Sequence, residues 1–129
     1  MGMYDIVHAL YSIPPGYAGC GRGAPDGREF QSKDTPDQDF SVFTIQRDGT
    51  LTRAALNYDA EYTEPGPSSY SGSFEFYGDR NFKEDSYFWT LWNRGKLLRI
   101  ELRFYRNNRI VWTSEPGVGE TWAPQEDED

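Results

Sequence analysis

The stretch FSVFTIQRDGTLTRAALNY, residues 40–58, decides the fold class of this chain. Its two apolar and β-branched runs, 40–46 and 51–58, flank a short polar segment that contains Asp48-Gly49. Asp-Gly between two such runs is a strong hairpin signal, because both central residues of a type I′ turn need positive φ. The sequence therefore predicts two antiparallel strands joined by a type I′ turn at Asp48-Gly49.

Strand signals recur on both sides of this hairpin. The clearest is 98–104, where the apolar residues at even positions, Leu98 to Phe104, alternate with charged residues. The stretch 82–92 also permits a short helix, although its aromatic residues favour a strand. The other predicted strands are 4–13, a short edge strand at 29–31, 73–77 and 110–113. We predict a mainly β fold, with an antiparallel sheet forming a sandwich or a partly open barrel and at most one short helix.

The length of 129 residues fits one domain, and 21 aromatic side chains supply a core despite an apolar content of 36%. We predict a single β-rich domain over 1–113 that contains a Gly/Pro-rich loop at 14–36. Residues 59–71 read as an exposed acidic loop. Residues 114–129 end in four consecutive carboxylates and read as a flexible acidic tail.

The net charge of −8 is distributed unevenly. Residues 94–113 hold six basic side chains and one acidic side chain, Glu101, and the predicted strand places Arg99 and Arg103 on the same face as Glu101. Two interpretations stay open: the basic residues pair with the acidic loop or tail, or they contact phosphate or an acidic partner. In the second, Trp89 and Trp92 are aromatic anchors, although such residues also suit the core. The candidate basic patch comprises Arg94, Lys96, Arg99, Arg103, Arg106 and Arg109.

The acidic segments suggest a different surface. Their carboxylates, at spacings resembling the charges of a nucleic-acid backbone, would occupy and block the basic groove of a nucleic-acid-handling protein. The alternative is that they serve solubility alone. The candidate partner-binding residues are Asp34, Asp37, Asp39, Asp59, Glu61 and Glu64.

The sequence offers no specific catalytic or metal-binding motif. His8 is the single histidine and Cys20 the single cysteine, so a zinc cluster of these residues is excluded. The glycines around Cys20 lack the spacing of a dinucleotide-binding loop. We predict that the protein is not an enzyme and binds no cofactor or metal, with a small hydrolase as the third-ranked reading. The first 15 residues make a poor export signal, which predicts a cytoplasmic location.

Three segments together resemble a known protein family. MGMYD at 1–5, FQSKD at 30–34 and FTI followed by DG and Leu51 at 43–51 are similar to a largely uncharacterised family of small proteins encoded by bacteriophages and prophages. FEFYG at 74–78 also resembles part of that pattern. The chain departs from it in the glycine-rich insert at 16–27 and the basic 94–109 hairpin. The resemblance implies a phage or mobile-element accessory protein, a class that includes anti-CRISPR and anti-restriction inhibitors.

These observations predict an inhibitor that binds a host defence or nucleic-acid-processing complex in the bacterial cytoplasm, of the anti-CRISPR type, through acidic surface loops. The alternative is a nucleic-acid or nucleotide-binding module that uses the basic 94–109 hairpin. No membrane partner is expected from the composition.

Overall fold

The structure is a computed structural model that describes residues 5–13, 29–32, 41–55, 59, 61–77, 86–105 and 107–122. This part of the chain consists of strands and turns and contains no helix. The ten strands are β1 (Asp5–Ala9), β2 (Glu29–Ser32), β3 (Val42–Ile45), β4 (Leu51–Ala54), β5 (Gly66–Pro67), β6 (Gly72–Phe76), β7 (Ser86–Asn93), β8 (Lys96–Phe104), β9 (Ile110–Glu115) and β10 (Gly119–Trp122). The helix alternative is therefore wrong for 86–92, while 82–85 lie outside the described residues.

The strands form two five-stranded sheets, which confirms the predicted mainly β, sandwich-like fold. The order is β2-β1-β3-β4-β5 in sheet A and β10-β9-β8-β7-β6 in sheet B. The predicted short edge strand is β2, at the edge of sheet A. All pairs are antiparallel except β1 and β3, which run parallel because the chain first reverses into β2 and then returns on the other side of β1. A single bridge between Gln31 and Tyr77 joins β2 to the end of β6.

Aromatic side chains from the two facing sheets make about half of the buried core cluster, and aliphatic side chains make the rest. Phe30 of sheet A packs edge-on against Phe76 and Phe88 of sheet B, with ring centroids 4.9 and 5.5 Å apart. Phe88 also meets the edge of Trp112 at 6.3 Å. Aromatic rings bury large areas and prefer such tilted contacts, so few residues suffice to hold the sheets together.

The turn between β3 and β4 differs from the predicted geometry. At 46–49 the Gly49 N–H donates to the Gln46 carbonyl, and Gly49 has φ of 88° while Asp48 keeps a negative φ. The type I′ prediction is therefore wrong here: one glycine in the left-handed region closes the loop. The turn between β7 and β8 is the type I′ one, since Arg94 and Gly95 have φ of 50° and 75°.

An irregularity in β8 changes the face of Leu98. Leu91 pairs with Arg99 while Trp92 pairs with Leu97, which leaves Leu98 as an extra residue. Such a bulge shifts the alternation by one position. Leu97 is consequently buried and Leu98 is 46% exposed, contrary to the predicted inward row, whereas Ile100 and Leu102 point inward as predicted.

The chain beyond residue 113 continues the sheet. β9 extends to Glu115, and β10 returns from Gly119 to pair with it up to Trp122 opposite Trp112. Gly117 has φ of 82° and permits the reversal after Pro116. The tail prediction is therefore wrong for 114–122, and residues 123–129 lie outside the described part.

The Asp48 carboxylate predicts a pH dependence of stability. It accepts hydrogen bonds from the Thr50 hydroxyl at 2.7 Å and the Thr50 N–H at 3.0 Å, which lower its pKa below the ordinary 3.8. This stabilisation is complete above the unfolded pKa and disappears as the pH falls through the lower folded value. We expect Asp48→Asn to unfold at lower urea concentration than the natural protein at pH 7, with the gap closing below pH 3.8. A gap independent of pH between 7 and 2 would contradict this role.

Candidate functional site

The centre of the basic patch lies on the outer face of sheet B, where its two arginines flank a buried carboxylate. Glu101 accepts a bond from Arg99 Nε at 2.6 Å through one oxygen, and from Arg103 Nη2 at 2.5 Å and Nε at 2.9 Å through the other. Arg99 also contacts Glu115 at 3.2 Å. Both guanidinium groups thus have carboxylate partners, and the predicted shared face of these three β8 residues is confirmed.

Aromatic side chains complete this outer face. The Arg103 guanidinium carbon lies 4.7 Å from the centre of the Trp89 ring, and Trp89 pairs directly with Glu101 across the strands. Burial alone would lower the pKa of Arg103, but its hydrogen bonds to Glu101 and Tyr87 outweigh that effect and raise it. A cation held by a carboxylate and a ring face is well satisfied, so this arrangement suits a structural role.

The remaining basic candidates do not join this centre. Arg94 and Lys96 lie at the β7–β8 turn, whereas Arg109 follows the other end of β8. A strand of this length separates its two ends by roughly 26 Å. Arg106 lies outside the described residues. The sequence-predicted basic patch is consequently spread over the length of the strand.

The two aromatic anchors differ in their surroundings. Trp89 is half-buried on the outer face, beside Arg103. Trp92 faces the core with 2% of its surface exposed, stacks on Phe74 at 5.6 Å and donates its indole N–H to Thr90 Oγ1 at 2.7 Å. The anchor prediction is therefore wrong for Trp92, because its place in the strand alternation points its ring inward.

The acidic loop after β4 presents its described carboxylates to solvent. Asp59, Glu61 and Glu64 are all exposed. Tyr62, between Glu61 and Glu64 in the chain, is also exposed (48%), and it is not among the sequence-predicted site residues. An aromatic residue flanked by carboxylates and followed by Pro65 was the available signal. Asp34, Asp37 and Asp39 lie outside the described residues.

Backbone contacts hold the base of this acidic loop. The Thr63 N–H donates to the Ala55 carbonyl at 2.8 Å, and the Ala55 N–H donates to Thr63 Oγ1 at 3.0 Å. These two bonds close the segment next to the end of β4. The carboxylates and the Tyr62 ring are thus presented from a fixed point of the sheet.

The described residues of the segments 1–5, 30–34 and 43–51 lie in sheet A or in the turn after β3, whereas 74–77 lie at the end of β6 in sheet B. Asp5 of β1 pairs with Ser32 of β2, and β3 runs along the other side of β1. Asp5 and Ser41 are fully buried: the Asp5 carboxylate accepts the Ser41 N–H at 3.0 Å, and the Ser41 hydroxyl accepts a bond from Arg53 Nε at 3.1 Å. These hydrogen bonds tie the start of β1 to the residue before β3 and to β4.

Other candidate sites are weaker. An open groove of about 490 Å³ lies beside the β9–β10 turn, lined by Tyr11, Arg47 and Asp48 among others. His8 is half-buried on β1. Among the described residues, no three His, Cys, Asp or Glu side chains are placed to hold a metal ion.

Over the described ranges, no helix is long and apolar enough to cross a membrane. The chain matches no protein-family model, no curated protein and no solved structure.

Proposed function

We propose that this protein is a non-enzymatic inhibitor that binds a host defence or nucleic-acid-processing complex through its acidic loop. The observation that carries the proposal is the exposure of Asp59, Glu61 and Glu64 around the exposed Tyr62 ring. Carboxylates steer a protein toward a basic groove, and a central tyrosine is a frequent energetic anchor in interfaces. The family resemblance supports a phage or mobile-element origin.

The charge arrangement favours this loop over the basic hairpin. Arg99 and Arg103 are bound to Glu101, and Arg99 also to Glu115. A phosphate would have to replace these contacts, and leaving the buried Glu101 without its cations is costly. Asp59, Glu61 and Glu64 are exposed, and a change of partner at an exposed carboxylate costs little. The nucleic-acid-binding alternative is accordingly the second candidate.

The test begins with capture from bacterial lysate on the immobilised full chain, with and without nuclease, followed by mass spectrometry. The captured complex is then titrated against variants in purified form. We expect Tyr62→Ala to weaken binding about thirtyfold, as for an interface hot spot, and Asp59→Lys/Glu61→Lys/Glu64→Lys to weaken it at least about tenfold. Binding should also fall as salt increases.

Glu120→Lys is the matched control, since it makes the same charge change at another exposed carboxylate, on β10. We expect this variant to bind the complex like the natural chain. Capture of nucleic acid alone, or unchanged binding by the triple variant, would refute the proposal. Loss of binding in Glu120→Lys alone would show that the interface lies outside the acidic loop.

A further inference from the structure

β10 ends sheet B and offers an open edge. It pairs with β9 on one side, and all four of its residues are exposed. Within the described part of the chain, no strand pairs with its other side. An edge strand presents alternate N–H and C=O groups outward, which makes it a template for another extended chain.

β10 is short and carries one charged side chain, Glu120, but three other features that often protect an edge are absent from it. Its residues, Gly119 to Trp122, include no lysine and no proline, and their register with β9 is continuous without a bulge. Exposed apolar side chains flank it as well: Val118 is 80% exposed and Trp122 54%. Such an edge is a template on which another extended chain can pair.

Two side chains of β10 define what would bind. Glu120 and Trp122 are two residues apart and therefore share a face of the sheet. The Trp122 ring contacts the buried Trp112 ring with centroids 6.5 Å apart, and about half of the Trp122 surface stays exposed.

The other face of the same sheet shows how such a pair of side chains binds a cation. Glu101 and Trp89, opposite each other on β8 and β7, hold the guanidinium of Arg103 between a carboxylate and a ring. Glu120 and Trp122 provide a carboxylate and an indole ring two residues apart along the edge strand, instead of opposite each other, and among the described residues no cation lies within ion-pair distance of Glu120. An arginine or lysine on an added strand would complete this arrangement.

We propose that β10 binds an extended Arg/Lys-rich peptide segment as an additional strand of sheet B. The described residues 114–122 contain two carboxylates and no basic side chain, so the local charge favours a basic peptide. A second copy of this chain would bring like charges together along the same edge. The backbone supplies affinity, and Glu120 and Trp122 select the basic side chains.

The probe is a fluorescein-labelled heptapeptide in which arginine alternates with valine, titrated with the full chain by fluorescence anisotropy. Two isomers of identical charge carry N-methyl groups either on the arginine or on the valine amides. Because alternate amides face β10, we expect one isomer to lose at least about tenfold in affinity, from missing hydrogen bonds, and the other to keep it. Equal affinities of the two isomers would overturn the proposal.

Variants of the protein locate the site. Glu120→Lys and Trp122→Ala should each weaken the unmethylated peptide at least about fivefold, as expected for a lost ion pair or cation–π contact. Glu64→Lys, with the same charge change on the acidic loop, should bind it normally. An equal loss in Glu64→Lys would mean diffuse charge attraction and would overturn the proposal, as would sedimentation showing a dimer that Trp122→Ala dissociates. The outcome is independent of the complex sought through the acidic loop.

Discussion

Replacing Gly95 by alanine is expected to lower the free energy of unfolding by about 3 kcal/mol, since a left-handed alanine costs about 1–2 kcal/mol and a forced backbone shift adds a similar amount. Gly95 has φ of 75°, and an added Cβ would overlap the Ser68 carbonyl oxygen and lie 2.9 Å from its carbon. The neighbouring segment must therefore move away. That movement weakens the bond from the Gly95 N–H to the Tyr70 carbonyl and the bond from Leu51 N–H to the Gly95 carbonyl, both 2.8 Å.

Gly117→Ala is the control for this substitution. Gly117 has a similar φ of 82°, but nothing lies within 4 Å of an added Cβ. Gly117→Ala should lose only the conformational part of the free energy of unfolding, about 1–2 kcal/mol. Urea unfolding followed by tryptophan fluorescence compares the two variants with the natural chain. Equal losses at both positions would show that the contact with Ser68 has no energetic weight.

Phe88→Ala is expected to cost about 4 kcal/mol of stability, the range for deleting a buried aromatic ring. Phe88 is 1% exposed, and its ring meets Phe76 at 5.3 Å in its own sheet and Phe30 at 5.5 Å in the facing sheet. The cavity would lie where the two sheets touch, so neighbouring strands cannot close it without separating from their hydrogen-bonded partners. The variant should unfold at much lower urea concentration.

Tyr105→Ala removes an aromatic ring from the outer surface of the same sheet. Tyr105 is 50% exposed and rests on Tyr87 with ring centroids 4.6 Å apart. Its loss should cost about 1 kcal/mol, the contribution of an aromatic pair. If Phe88→Ala proved no more destabilising than Tyr105→Ala, the aromatic contact between the sheets would not be the principal source of stability.

The sequence was sufficient to predict the strands, because alternation and turn residues are local signals. It was insufficient to predict the turn types. Asp48-Gly49 has the composition of a type I′ turn, but only Gly49 has a positive φ there, and the type I′ turn is the one at Arg94-Gly95. Leu98 was misassigned for a related reason. A bulge depends on how two strands align, and one strand alone does not encode it.

Local sequence patterns could not predict the parallel pairing of β1 with β3 either. In the chain β2 lies between β1 and β3, whereas in the sheet it lies on the opposite side of β1 from β3. Because the chain reverses direction into β2 and again into β3, β1 and β3 run parallel. Strand order depends on which buried faces meet in three dimensions, and periodicity carries no information about neighbours.

The candidate site was predictable in part. The alternation of side chains along a strand predicted that Arg99, Glu101 and Arg103 share a face. It did not predict that Glu101 is buried and binds both arginines. β10 was not predicted, because the four consecutive carboxylates at 126–129 dominate the composition of residues 114–129. Pro116-Gly117 was the turn signal that marked it.

The contrast between the two sheets has a consequence for how the chain folds. Every pair in sheet B joins strands that follow one another in the chain, whereas in sheet A Ile6 must find Val42 across a long intervening segment. Closing a long loop costs more entropy than closing a hairpin, and local pairings form faster. We therefore expect the consecutive hairpins of sheet B to organise the transition state, with the N-terminal strand joining afterwards as the slow, late event.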